Sequence, residues 1–102
     1  MNKRLAFLEQ LHTDGKADSF ALYGLAMEYR KLERVEDSLK IFEELREKDS
    51  GYLAMYLMAG QLLIEANRGS DARVWLEQGI ELATRTGNGK ALGELQDALE
   101  DC

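Results

Sequence analysis

A chain of 102 residues has room for one domain. Its 19 acidic and 13 basic residues leave a net charge of −6, a poor basis for nucleic-acid binding, which runs on clustered Lys and Arg. One Cys, at the last position, builds neither a disulfide framework nor a Cys-based zinc site. No apolar stretch approaches the roughly 18 residues of a membrane span and no signal-peptide layout is present, so a soluble, cytoplasmic protein without membrane contact is expected.

Proline is absent, so no helix pattern is interrupted by it. Six helices are predicted, over about 3–12, 19–31, 35–48, 52–66, 71–85 and 89–100. The first segment carries Leu8 and Leu11 on one side and ends in His12, whose protonated ring would complement the helix dipole. Asp18 or Ser19 can cap the second, which bears two apolar stripes: Leu22, Leu25, Ala26 and Tyr29, then Phe20, Tyr23 and Met27.

The third is amphipathic. Val35, Leu39, Phe42 and Leu45, with Ile41 beside them, oppose Glu36, Lys40, Glu43, Glu44 and Glu47, which read as a solvated face. In the fourth, Tyr56, Ala59, Gly60 and Leu63 form one stripe, while Leu57, Met58, Gln61 and Ile64 lie elsewhere on the same helix. Ser50 and Ser70 are the predicted caps of the fourth and fifth helices. Trp75, on the fifth, is expected to pack against the last helix, whose apolar stripe is Leu92, Leu95 and Leu99. Gly15, Gly51, Gly69, Gly87 and Gly89 fall between periodic segments, where a positive φ is most useful.

Two stretches align without a gap at an offset of 34 residues, from Ser19 over Leu53 onward. Leu22 meets Tyr56, Leu25 meets Ala59, Ala26 meets Gly60 and Tyr29 meets Leu63. Arg34 meets Arg68, Asp37 meets Asp71, Ser38 meets Ala72 and Phe42 meets Leu76. The small residues Ala26, Gly60, Ser38 and Ala72 would let the two helices of each pair approach closely, so overpacking at Gly60 should lower the melting temperature.

In period and in these residues the chain resembles the tetratricopeptide repeat, a helix–turn–helix unit of about 34 residues. The Trp and Pro positions of the family pattern are filled by other residues in both units. The resemblance covers residues 19–86 and is similar to that of small bacterial two-repeat proteins with flanking helices. It implies an all-α, right-handed α-α superhelix occupying 1–102 as a single domain. A leading helix at 3–12 would precede repeats at 19–52 and 53–86, and a capping helix at 88–101 would follow. The leading helix matches a lone second helix of a missing repeat, and atypical ends are what stop a solenoid from stacking without limit.

The resemblance also implies a concave surface lined by the first helix of each repeat. Carried over, that groove comprises Phe20, Tyr23, Met27, Arg30 and Lys31 from the first unit, with Leu57, Met58, Gln61, Ile64 and Glu65 from the second. Some family members hold an acidic C-terminus in a Lys and Asn clamp on these helices; Tyr23, Met27 and Met58 stand there instead, so that role is rejected. An apolar groove with adaptable Met side chains suits an apolar peptide or an amphipathic helix. Three occupants remain open: a separate protein, a second copy of the chain in a symmetric dimer, or the chain's own trailing helix.

No catalytic constellation can be assembled. His12 has no second His or paired Cys, and neighbouring carboxylates such as Glu36–Asp37 diverge by about 100° around a helix. Gly87, Asn88 and Gly89 lack the Lys and Ser/Thr of a phosphate loop. The expected protein is therefore a scaffold or adapter, not an enzyme, with no metal and no cofactor; the alternative is a self-associating structural block.

Overall fold

Apolar residues spaced at three and four positions bury themselves by forming helices that share their stripes. In the computed structural model, which describes residues 2–102, these helices are α1 (Lys3–Thr13), α2 (Ser19–Lys31), α3 (Val35–Lys48), α4 (Leu53–Glu65), α5 (Gly69–Thr86) and α6 (Gly89–Leu99). Among the described residues there is no strand. Two compact units result, the first ending at Ser50 and the second beginning at Gly51.

In the first unit α2 packs against α3, and α1 against α2. Leu22, Leu25, Ala26 and Tyr29 are all buried, as are Leu39, Ile41, Phe42 and Leu45 opposite them. Ser38 uses its small size and its hydroxyl together: fully buried, it donates to the Ala26 carbonyl oxygen at 2.7 Å. A buried hydroxyl without such a partner would be costly.

In the second unit α4 packs against α5, and α6 lies against both. Tyr56, Ala59, Gly60 and Leu63 are buried with Ala72 and Leu76. The close approach expected at Gly60 is present: a Cβ there would stand 2.7 Å from Leu76 Cγ. Gly79 is a second such point, which the sequence pattern did not reveal. A Cβ on it would meet Tyr56 Cβ at 2.7 Å and Leu95 Cδ2 at 2.9 Å, so α5 touches α4 and α6 at one residue. Trp75 is buried, and its ring lies against Tyr56 on α4 with centroids 6.2 Å apart.

The repeat is also visible in the turns. Glu33 and Asn67 occupy equivalent positions and both have positive φ, 59° and 60°. After each, the chain returns to its first helix by the same bond, Arg34 N–H to the Tyr29 carbonyl at 3.0 Å and Arg68 N–H to the Leu63 carbonyl at 2.8 Å. Each arginine then reaches an aspartate in the next helix's first turn, Arg34 to Asp37 at 2.9 Å and Arg68 to Asp71 at 3.0 Å. Those aspartates also suit the positive end of the helix dipole.

The capping expectations need correction. Asp18 caps α2, accepting from Ala21 N–H at 2.8 Å. Ser50 and Ser70 are not the caps of α4 and α5: α4 starts after Tyr52 and α5 after Arg68, neither with a side-chain cap. Ser70 lies inside α5, because the Asn67 turn restarts the helix two residues earlier than expected. Of the interhelical glycines only Gly15 and Gly87 have positive φ; Gly69 and Gly89 are first residues of helices. Asn2 and Asn88, not foreseen as caps, accept from Leu5 and Ala91 N–H groups.

Candidate functional site

The two first helices, α2 and α4, present a buried face and a half-exposed one, and the predicted site residues lie on the latter. On α2, Tyr23, Met27 and Arg30 are half-buried, while Phe20 and Lys31 are exposed. The Tyr23 ring meets the buried Phe42 ring edge-on, with centroids 6.5 Å apart. Burial pushes the Tyr23 phenol above its usual pKa, against the opposing pull of Arg30. Lys31 has a local partner in Glu28, 3.5 Å away.

On α4, Leu57, Met58, Gln61 and Ile64 are all half-buried and Glu65 is exposed. Here the structure brings the predicted residues together around open space. Leu57, Gln61, Ile64 and Glu65 form one wall of a cleft of about 410 Å³, and Glu94, Asp97, Ala98 and Asp101 from α6 and the residues after it form the other. A second cleft of about 250 Å³ adjoins it through Leu57 and Glu94, and is lined by Leu53, Ala54 and Met58 from α4 with Ala91 and Leu95 from α6. The trailing helix therefore walls the α4 face and leaves it open. The α4 side offers Leu57, Met58 and Ile64 beside Gln61 and Glu65, the α6 side is acidic, and no Lys or Arg lines either cleft.

Sequence reasoning missed this α6 contribution. Its signal was present: the spacing of Glu94 and Asp97 places them on one side of a helix whose apolar stripe of Leu92, Leu95 and Leu99 lies away from them.

Also missed was a polar cluster between α1 and α2. Glu28 is buried, at the position where the second repeat has the buried Leu62. Its carboxylate accepts from Asn2 Nδ2 at 2.9 Å and lies 3.3 Å from Arg4 Nε. The Asn2 hydrogen bond, helped by Lys31 and Arg4, holds its pKa below the usual carboxylate value despite burial. Beside it the Tyr29 hydroxyl donates to Glu9 at 2.6 Å, and burial together with that carboxylate pushes the phenol up to about 12. His12 Nε2 lies 2.7 Å from Glu44, joining α1 to α3. Each of these groups is engaged with a neighbouring helix, and His12, Tyr29 and Glu44 also line a cleft of about 260 Å³ with Asp37, Lys40 and Ile41. Among the described residues no cluster of three or more His, Cys, Asp or Glu is placed to hold a metal ion. No helix among them is long and apolar enough to cross a membrane.

The comparisons with known proteins agree with this geometry. A tetratricopeptide repeat family model matches residues 29–95. A tetratricopeptide repeat domain protein from Salinibacter ruber, solved in solution, is 41% identical over 80% of this chain and 83% of its own, with a TM-score of 0.74. Its crystal structure matches with a TM-score of 0.73 and the same identity, covering 80% of this chain and 92% of that one. A protein from Bordetella parapertussis shares the fold at 22% identity, with a TM-score of 0.83 over 98% of this chain and 87% of its own. A comparison with curated proteins gives no match. The chain belongs to the tetratricopeptide repeat family, and its fold is the helical-repeat solenoid of that family. Such repeats in general serve protein–protein interaction and are non-catalytic scaffolds.

Proposed function

We propose that the protein is a non-catalytic adapter that takes an apolar segment of another protein, an extended peptide or an amphipathic helix, on the half-exposed faces of its first helices. It uses no metal and no cofactor. Phe20, Tyr23 and Met27 on α2, and Leu57, Met58 and Ile64 on α4, are the residues that bury partner surface. Gln61 supplies hydrogen bonds, and Arg30 and Lys31 supply positive charge at the end of α2. The observation that carries this reading is the pair of adjoining clefts along α4, the smaller one mainly apolar and the larger one mixed, left unfilled by the chain's own last helix. Apolar clefts with a few polar groups are the usual form of a binding site.

The test uses Met58→Glu and Tyr23→Glu. Both positions are half-buried, so each variant is first shown by circular dichroism to keep its helices. The expected result is loss of partner binding in a pull-down by at least one variant that stays folded. If both keep the fold and both keep binding, these faces are not the site.

A second reading is favoured by one observation: Phe7 and Phe20, both in the first unit, are 64% and 68% exposed. Large exposed rings suit burial in a symmetric dimer. Light scattering coupled to size exclusion, from about 100 down to about 1 μM, separates the readings because self-association follows mass action. A mass of 11.5 kDa throughout supports the adapter; a dimer that persists at the low end supports the structural block.

A further inference from the structure

The α4–α6 clefts carry a charge pattern that narrows the partner. Their apolar lining includes Leu57, Met58, Ile64 and Leu95, and their acidic lining is Glu65 from α4 with the rim of Glu94, Asp97 and Asp101 from α6 and the residues after it. Among the described residues no hydrogen bond or ion pair engages the carboxylates of Glu94, Asp97 or Asp101. The basic residues of this unit, Arg68, Arg73, Arg85 and Lys90, line neither cleft. Nothing on the protein side neutralises the rim.

We infer that the α4–α6 clefts receive a basic amphipathic helix, whose apolar side chains seat on Leu57, Met58 and Ile64 while its Lys or Arg side chains reach the α6 carboxylates. This rests on the adapter reading and adds the partner's chemistry. Lys and Arg suit the arrangement physically. Their aliphatic stems lie along apolar surface while the charged heads remain in water, where rim charges set specificity and association rate.

Charge also separates this occupant from a second copy. A chain of net charge −6 would bring more negative charge to a rim that is already acidic, and like-charge juxtaposition is unfavourable. The repeat offset sharpens the contrast. At the positions of Arg30 and Lys31 in the first repeat, the second has Ile64 and Glu65. The cationic end is thus particular to α2, and the acidic rim belongs to the second unit.

The experiment is a fluorescence anisotropy titration of the whole chain with two labelled peptides of about 18 residues, long enough for a stable helix. Both carry Leu on one face; one carries Lys on the other face and its counterpart carries Glu. The Lys peptide is expected to bind at least about tenfold more tightly, with amide shifts in α4 and α6, and to weaken as salt shortens the reach of exposed charges to about 10 Å at 0.1 M. The double variant Glu94→Gln, Asp97→Asn should weaken it about five- to tenfold while keeping its helices. Glu43→Gln with Glu47→Gln makes the same net-charge change on the exposed side of α3 and should alter binding little.

Equal losses in the two double variants would mean that net charge alone attracts the peptide, and would overturn the inference. Equal binding of both peptides at α4 would overturn the charge selection and leave the adapter reading standing. Binding of neither would sink both. Shifts at Leu57, Met58 and Ile64 produced only by raising the chain's own concentration would assign the clefts to a second copy and also overturn it.

Discussion

At the scale of single residues, the decisive positions are those where a side chain is small for a reason. Gly60 and Gly79 both sit where an added carbon would collide with a neighbouring helix. Gly60→Leu and Gly79→Ala should each cost about 1–3 kcal/mol, as overpacking does, and lower the melting temperature. Gly93 is the control. It lies within α6, and a Cβ added there would have nothing within 4 Å, so Gly93→Ala should stabilise by about 0.5–1 kcal/mol through helix propensity. Thermal melts of the three variants check the assignment; a destabilised Gly93→Ala would contradict the open space there. Phe42 is fully buried, and Phe42→Ala should cost about 3–5 kcal/mol. Gly60 was legible from the sequence because the repeat offset set it over Ala26. Gly79 was not, since its reason for being small is Leu95, on a helix outside the repeat.

At the scale of an element, α1 differs from the rest. Leu8 is its one buried residue, and its other ties are polar: Asn2 and Arg4 to Glu28, Glu9 to Tyr29, and His12 to Glu44. Its attachment should therefore respond to pH at both ends of the range. The Glu28 pKa is depressed in the folded chain, so its stabilising contribution is present above the ordinary carboxylate value and is lost as pH falls below it. The Tyr29 phenol is raised to about 12, so its contribution is present below the ordinary phenol value near 10 and is lost as pH rises from there towards about 12. Amide exchange of α1 should quicken in acid before the core of α2 and α3 opens, and Glu28→Gln should blunt that acid response. In a tyrosinate titration, Tyr29→Phe should remove a step raised well above the ordinary phenol value. Uniform acid opening of α1 to α3 would mean that α1 is no separate layer. None of this was visible in the helical periodicity, because Glu28 occupies what the pattern treats as an ordinary position on α2.

At the scale of the molecule, the two units of about fifty residues are each small for independent stability, since the buried fraction of surface falls with size. We expect them to unfold as one domain spanning 1–102. Trp75, the only Trp, reports on the second unit. Its fluorescence melt should coincide with the far-ultraviolet circular dichroism of the whole chain. Two separated transitions would make the units independent domains.

What the residues alone determined is the repeat and its helices. A period of 34 with matched small and large positions leaves little freedom in which faces meet, and five of the six helices were placed to within one residue at each end. The fifth was longer, because its start is set by a turn with positive φ at Asn67 and not by a serine cap. The half-exposed face of α4 was legible for the same reason as the core, being the part of an apolar helix that its partner helix does not cover. Only the tertiary structure decided what stands across from that face. The placement of Glu94 and Asp97 on the cleft, and of Asn2 and Arg4 on Glu28, depends on how terminal helices outside the repeat dock. A periodic pattern constrains side chains that pack upon their own repeat, and carries no information about the approach of a helix that does not share the period.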